Sequence, residues 1–213
     1  QEFGGEVHVA DIDLLNDEAA SELSRLMTAR GLHAEVLINN AGLSLLRPLH
    51  QTPIADALRV LDLNVRAVTN LTLEFLPGMV KRGRGAILNV ASLAGLVPVP
   101  NMAVYGASKS YLIALSRALN AELRGMGVHI SVLAPGPVRT SMLSGIGLDS
   151  GKRLGWQVFA LRPEIVARVA YDGLLARRSL ITPGFLAWLA ARGIAVIPRA
   201  ALTRLAGWAV TPR

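Results

Sequence analysis

Three short apolar runs, each ended by small or turn-forming residues, constrain this chain more than anything else in it. Residues 35–38 run into Asn39-Asn40-Ala41-Gly42, residues 86–91 into Ser92, and residues 129–134 into Pro135-Gly136. Each is long enough for a strand and too short for a helix. Each is also nearly continuous in its apolar character, which is how a strand buried in a parallel sheet reads. Between them lie segments with apolar residues at helical spacing. Thr52-Pro53 opens one that carries Leu58, Leu61, Val65, Val68, Leu71, Phe75 and Leu76, and residues 110–124 carry Leu112, Leu115, Leu119 and Leu123. Residues 6–10 have strand character, Asn16 and Asp17 cap a helix to about Arg30, and Gly31 stops it. Pro163 starts another helix, and residues 179–182 read as a last short strand. Alternation of this kind specifies an α/β fold, a doubly wound parallel sheet with helices on both faces.

The chemistry gathers at Tyr105 and Lys109. On a helix, residues i and i+4 share one face, so the two side chains point the same way. A phenol has an ordinary pKa of about 10, and a cation held beside it favours the phenolate. The pair is thus an acid/base device in outline. Asn64 lies inside a helix, where Asn is unfavourable without a partner. It is either a core residue bonded to backbone or a functional one. The small residues Asn40, Ala41 and Gly42 let a ligand approach the backbone, and Gly42 can take a positive φ.

Asn39-Asn40-Ala41-Gly42, the lone helix Asn64, Ser92 ahead of Tyr105-x-x-x-Lys109, and Pro135-Gly136 reaching Thr140 occur in one order. In that order and spacing the chain resembles the short-chain dehydrogenase/reductase family over roughly residues 7–182. The resemblance implies a Rossmann-like domain that binds NAD or NADP and interconverts a secondary alcohol and a ketone. It implies Asn64, Ser92, Tyr105 and Lys109 as the catalytic set. Tyr105 would exchange the proton with the substrate oxygen, and Lys109 would lower the phenol pKa and hold the nicotinamide ribose. Ser92 would orient the substrate oxygen, and Asn64 would support a proton relay. For the cofactor it implies Asp11 and Ile12 beside the adenine, Asn40, Ala41 and Gly42 along the cleft, and Pro135, Gly136, Val138 and Thr140 near the nicotinamide and phosphates. Arg139 departs from the pattern.

One family feature has no match. The Thr-Gly-x-x-x-Gly-x-Gly turn that cradles a pyrophosphate at a helix N-terminus is not found. Gly83-Arg84-Gly85 precedes a strand, Gly125-Met126-Gly127 is a helix-end turn, and Gly145-Ile146-Gly147 follows no strand. The expectation is therefore a single, partial domain over residues 1–213 that lacks its first βαβ unit. Residues 7–11 would be the family's third strand, and the edge of the strand at 35–38 would be open. An alternative follows: a non-catalytic member serving as a binding or oligomerisation module.

Composition narrows the partners. With no cysteine, thiolate metal sites, disulfides and cysteine nucleophiles are excluded. His8 and His33 have no second ligand at metal spacing, so no metal is expected. The net charge of +7 is spread over scattered residues and short pairs such as Lys81-Arg82, so nucleic acid is not expected. The partner is a small-molecule substrate, and the leucines of 43–46, the apolar 93–97 and a substrate lid at 141–160 make it an apolar one. The long helix after Pro53 is apolar on more than one face, which calls for a second cover and a homo-oligomer. A cytoplasmic setting fits the cysteine-free composition. The tail, 183–213, reads as two short amphipathic helices packed on the core or on a partner subunit, with peripheral membrane contact as the lesser alternative.

Overall fold

The computed structural model describes residues 5–142, 160–184, 187, 189 and 203. Four parallel strands form one sheet in the order β1-β2-β3-β4: β1 Val36–Asn39, β2 Gly85–Val90, β3 Val128–Leu133 and β4 Leu180–Ile181. The register sets Asn39 opposite Asn89, and Val90 opposite Leu133. The helices are α1 Ala19–Ala29, α2 Ile54–Leu61, α3 Val68–Arg82, α4 Ala103–Glu122 and α5 Pro163–Leu175. A π-helical turn, Asp62–Ala67, joins α2 to α3 without breaking the helical run.

Successive residues of β2 and β3 face opposite sides, as a pleated strand requires. Ile87 and Ile130 pack with Met79, Leu123 and Val128 under α3 and α4, and Val132 packs with Val68, Leu112 and Ile113. Leu88, Leu133 and Ile181 pack on the other side against Val166, Ala170 and Leu174 of α5. The expected double winding is present. Each fully buried aliphatic side chain of this kind contributes roughly 1.5–3 kcal/mol.

Inside this apolar sandwich runs a polar ladder. Asn39 Nδ2 donates to Asn89 Oδ1 at 2.8 Å, Asn89 Nδ2 donates to Ser116 Oγ at 2.9 Å, and Ser116 Oγ donates to Leu112 O at 2.6 Å. A one-residue slip of β1 on β2 would separate the two asparagines and carry their side chains to different faces. Asn39 Oδ1 is buried and has no hydrogen-bond partner among the described residues.

Two expectations need correction. Residues 6–10 form no strand, and Val7 and Val9 are 80% and 86% exposed. Alternating apolar character signals a strand only where a neighbouring edge supplies hydrogen bonds, and no described strand pairs with this segment. The run at β1 is apolar but not buried on both sides. Leu37 packs toward Met79 and Ile87, whereas Val36 and Ile38 are 49% and 56% exposed, because α5 covers only β2 to β4 on that face. Among the described residues β1 pairs only with β2, so its outer edge is open, as expected. The lid at 141–160 and the tail at 183–213 lie almost wholly outside the described residues. No helix of the described residues is long and apolar enough to cross a membrane, and no group of His, Asp or Glu among them could hold a metal.

The turns that feed β2 and β3 pack backbone on backbone. Gly83 ends α3 with φ +65°, and Gly127 precedes β3 with φ +75°. A Cβ on Gly127 would overlap the Gly83 carbonyl, whereas one on Gly125 (φ +81°) meets nothing within 4 Å. Gly125→Ala should therefore cost only ~1 kcal/mol of backbone strain, and Gly127→Ala ~3 kcal/mol or more, through strain plus overlap. Urea denaturation of the two variants side by side checks the difference.

Candidate active site

The loops that leave the carboxyl ends of β1 and β2 meet the first two turns of α4, and the loop after β3 is bonded to the loop after β2. This is the edge at which an open parallel sheet binds ligands. Backbone bonds hold two of the loops together: Ala91 N donates to Leu133 O at 2.7 Å, and Leu93 N donates to Pro135 O at 3.0 Å. Ser92 thus sits beside Pro135-Gly136. Its Oγ accepts from Ala94 N at 3.2 Å and caps a short 3-10 turn, Leu93–Gly95.

That turn lies hard against α4. A Cβ on Gly95 would come within 2.6 Å of the Lys109 carbonyl carbon, and one on Gly106 within 3.0 Å of the Ala94 carbonyl oxygen. The two glycines let the Ser92 loop approach the tyrosine helix at backbone distance. Neither stands out in the sequence, because close approach depends on a partner far along the chain.

Tyr105 and Lys109 share a face of α4, as their spacing predicts, and both are buried. Lys109 Nζ lies 5.8 Å from the centre of the Tyr105 ring and donates to Val90 O at 2.8 Å, at the last residue of β2. Burial pushes the Lys109 pKa down to about 8. Burial also raises the Tyr105 pKa, and hydrogen bonding with Ser92 only partly offsets this. The phenol therefore stands above its ordinary value and not, as expected from the lysine beside it, below it, because desolvation disfavours the charged form of each group.

Asn64 sits in the π turn with no exposure. Its Oδ1 accepts from Leu43 N at 2.8 Å, and its Nδ2 donates to Leu43 O at 2.9 Å and to Ser108 Oγ at 3.0 Å. Ser108 Oγ in turn donates to Tyr105 O at 2.7 Å. Asn64 thus carries the backbone bonds expected of a core asparagine and sits within the candidate site as well. Gly42 lies beside it. A Cβ there would stand 3.0 Å from Asn64 Oδ1 and 3.3 Å from Lys109 Nζ. Gly42 does not have a positive φ. What this position needs from glycine is space.

Asn64, Ser92, Tyr105, Lys109, Gly42 and Pro135-Gly136 therefore come together. Asn40 and Ala41 are exposed on the same loop as Gly42. Val138 and Thr140 follow in the loop after β3, where Val138 bridges Leu161 and Arg139 Nε donates to Ala160 O at 3.1 Å. Asp11 is exposed and Ile12 half-buried on the irregular segment before α1, and no hydrogen bond to a described residue joins either to the rest. Ser108 and the Val90 carbonyl were missed from the sequence. Ser108 could have been found, because it lies three residues past Tyr105 on one helix face.

A family model described as short chain dehydrogenase matches residues 1–150. Over 175 residues the chain is 33% identical to NADP-dependent 3-hydroxy acid dehydrogenase YdfG of Escherichia coli O157:H7, covering 80% of this chain and 71% of that one. A short chain dehydrogenase from Burkholderia cenocepacia J2315, solved in complex with NADP, superimposes with a TM-score of 0.76 at 26% identity over 93% of this chain and 80% of the other. A short-chain dehydrogenase from Sphingobium yanoikuyae in complex with NADPH gives a TM-score of 0.73 at 27% identity, over 87% and 72%.

The buried lysine makes stability depend on pH. The folded chain releases the Lys109 proton near 8, and the unfolded chain near the ordinary 10.5. Between those values the unfolded state binds more protons, so stability rises with pH. The raised Tyr105 pKa acts in the opposite sense above the ordinary 10, where the unfolded chain ionises first. The urea midpoint should rise from about pH 7 to about pH 9, by ~1 kcal/mol in stability, and Lys109→Met should flatten that rise.

Proposed function

The chain belongs to the short-chain dehydrogenase/reductase family, and on that footing we propose that it reduces an apolar ketone to a secondary alcohol with a nicotinamide cofactor. The observation that carries this reading is the buried Tyr105–Lys109 pair, with its ammonium anchored on Val90 O close to Gly42. The residues fit the nicotinamide end of NAD or NADP: the buried Lys109 ammonium spends one hydrogen bond on Val90 O and keeps donors for a ribose hydroxyl, and Gly42, with no side chain, lets its loop lie close beside it. Lys109, Asn40, Ala41, Gly42, Pro135, Gly136, Val138 and Thr140 would hold that end. NADP is the first cofactor to try, because it is named for the YdfG relative and, as NADP or NADPH, for both solved neighbours.

A nicotinamide held there would supply hydride chemistry to the carbonyl carbon. The protein supplies the proton and the field. The raised Tyr105 pKa keeps its phenol protonated near neutrality, which suits delivery of the proton to the carbonyl oxygen as that oxygen gains charge. Ser92, which bonds the phenol when no substrate is present, would turn its single proton to the same substrate oxygen and orient it. Lys109 stabilises the phenolate left behind, and its pKa of about 8 lets it return a proton. Asn64 holds the Gly42-Leu43 backbone at one wall of the site. Support for an apolar substrate comes from the cluster around the tyrosine, where Tyr105 and Met102 pack with Leu46, Ala94 and Val99. The finer proposal of a homo-oligomer rests on α2, where Ile54, Leu58 and Leu61 form one exposed apolar stripe.

The test follows NADPH and NADH oxidation with a panel of apolar ketones. Tyr105→Phe should lower kcat by roughly 10²–10⁴-fold and leave cofactor affinity unchanged. Retention of more than about a tenth of the activity would remove Tyr105 as the proton donor. In sedimentation equilibrium the chain should be a dimer or larger, and Leu58→Glu should shift it toward monomer.

A further inference from the structure

Helix α4 uses one device twice. At Ser108 and again at Ser116, a fully buried hydroxyl gives its proton to a carbonyl of the preceding turn and accepts from an asparagine amide. Ser108 Oγ donates to Tyr105 O and accepts from Asn64 Nδ2, and Ser116 Oγ donates to Leu112 O and accepts from Asn89 Nδ2. Both serines are 1% exposed, so no water stands in for either partner. The second copy braces the sheet. The first touches Asn64, whose other contacts are the backbone of Leu43.

A hydroxyl has one proton. Because Ser108 spends it on Tyr105 O, only a donor can face its lone pairs. The Asn64 amide must therefore turn Nδ2 toward Ser108, which sends Oδ1 to the opposite side. There it meets Leu43 N and borders Gly42, the same residue that Lys109 Nζ borders. A carboxamide oxygen on the lysine side can accept a proton-bearing group next to the ammonium, whereas an amide nitrogen would repel the ammonium. Leu43 favours the same orientation, but it belongs to a half-buried loop, whereas Ser108 is fixed in the tyrosine turn itself.

We infer that Ser108 is a positioning residue of this enzyme: it orients the Asn64 amide and ties the Gly42-Leu43 loop to the tyrosine turn. The inference rests on the reductase reading above. Ser108→Ala leaves one buried N–H of Asn64 unpaired, and Ser116→Ala does the same to Asn89, so both variants lose stability. Only the first also disturbs the site.

The experiment compares Ser108→Ala, Ser108→Thr and Ser116→Ala for kcat, KM, cofactor Kd and thermal midpoint. Ser108→Ala should lower kcat on the order of tenfold, with little change in cofactor Kd, and should move the pH profile of kcat. Ser108→Thr, which keeps the hydroxyl, should recover most of the loss. Ser116→Ala should lose a similar thermal midpoint while keeping kcat. Added to Asn64→Ala, Ser108→Ala should cost nothing more, because it acts through that residue. Equal kcat losses at the two serines, or additive losses with Asn64→Ala, would overturn the inference. If the wild type reduces no ketone, the functional reading fails by itself, and the side-chain amide signals of Asn64 still decide the inference. Both Nδ2 protons should be shifted downfield and slow to exchange in the wild type, with one of them released in Ser108→Ala. Two fast-exchanging protons in the wild type would overturn the inference, whether or not Ser108→Ala folds.

Discussion

The site depends on how an ammonium is accommodated where water is scarce. Lys109 is 5% exposed, forms no ion pair with a carboxylate among the described residues, and finds its hydrogen bond in the carbonyl of the last residue of β2. A cation held that way is costly, and the cost appears as a pKa near 8. It also has a structural effect. The lysine can bond to Val90 only if the first turns of α4 sit directly over the end of β2. Gly95 and Gly106 permit that closeness, and Ser92 emerges from the same strand end to meet the phenol. Helix, strand and loop are thus placed around one charge.

The polar groups of this domain do more to fix geometry than to add stability. A buried hydrogen bond contributes about 1 kcal/mol net, much the same as one well-packed methylene, but an unmade one costs more. Asn39, Asn89 and Ser116 therefore penalise any register but one, and Asn64 and Ser108 penalise any other seating of the loop after β1. The apolar core supplies most of the stability, and these amides and hydroxyls select one arrangement of it.

Much of this was legible in the sequence because it is local. The runs at 86–91 and 129–134 showed as strands, Pro163 as a helix start and Gly31 as a stop, since each signal lies within a few residues of what it determines. The shared face of Tyr105 and Lys109 followed from helical spacing, and the family motifs brought in Asn64 and Ser92. What could not be read depends on distant partners. Residues 6–10 have the pattern of a strand without a paired edge. Val36 and Ile38 look like core and lie on a face that α5 does not reach. The raised phenol pKa follows from burial, which no spacing reveals, and the glycines at 95 and 106 matter only through backbones brought near by folding.

The exposed flank of β1 has a consequence for the protein in bulk. Val36 and Ile38 present apolar surface on one face of a strand whose outer hydrogen-bonding edge pairs with no described residue. Such a strand is adhesive in two perpendicular directions, through its side chains and through its backbone. Any second chain that docked there would extend the sheet and cover the valine and isoleucine in the same step. The folded form would then be favoured by mass action, and apparent stability would depend on how much protein is in the tube.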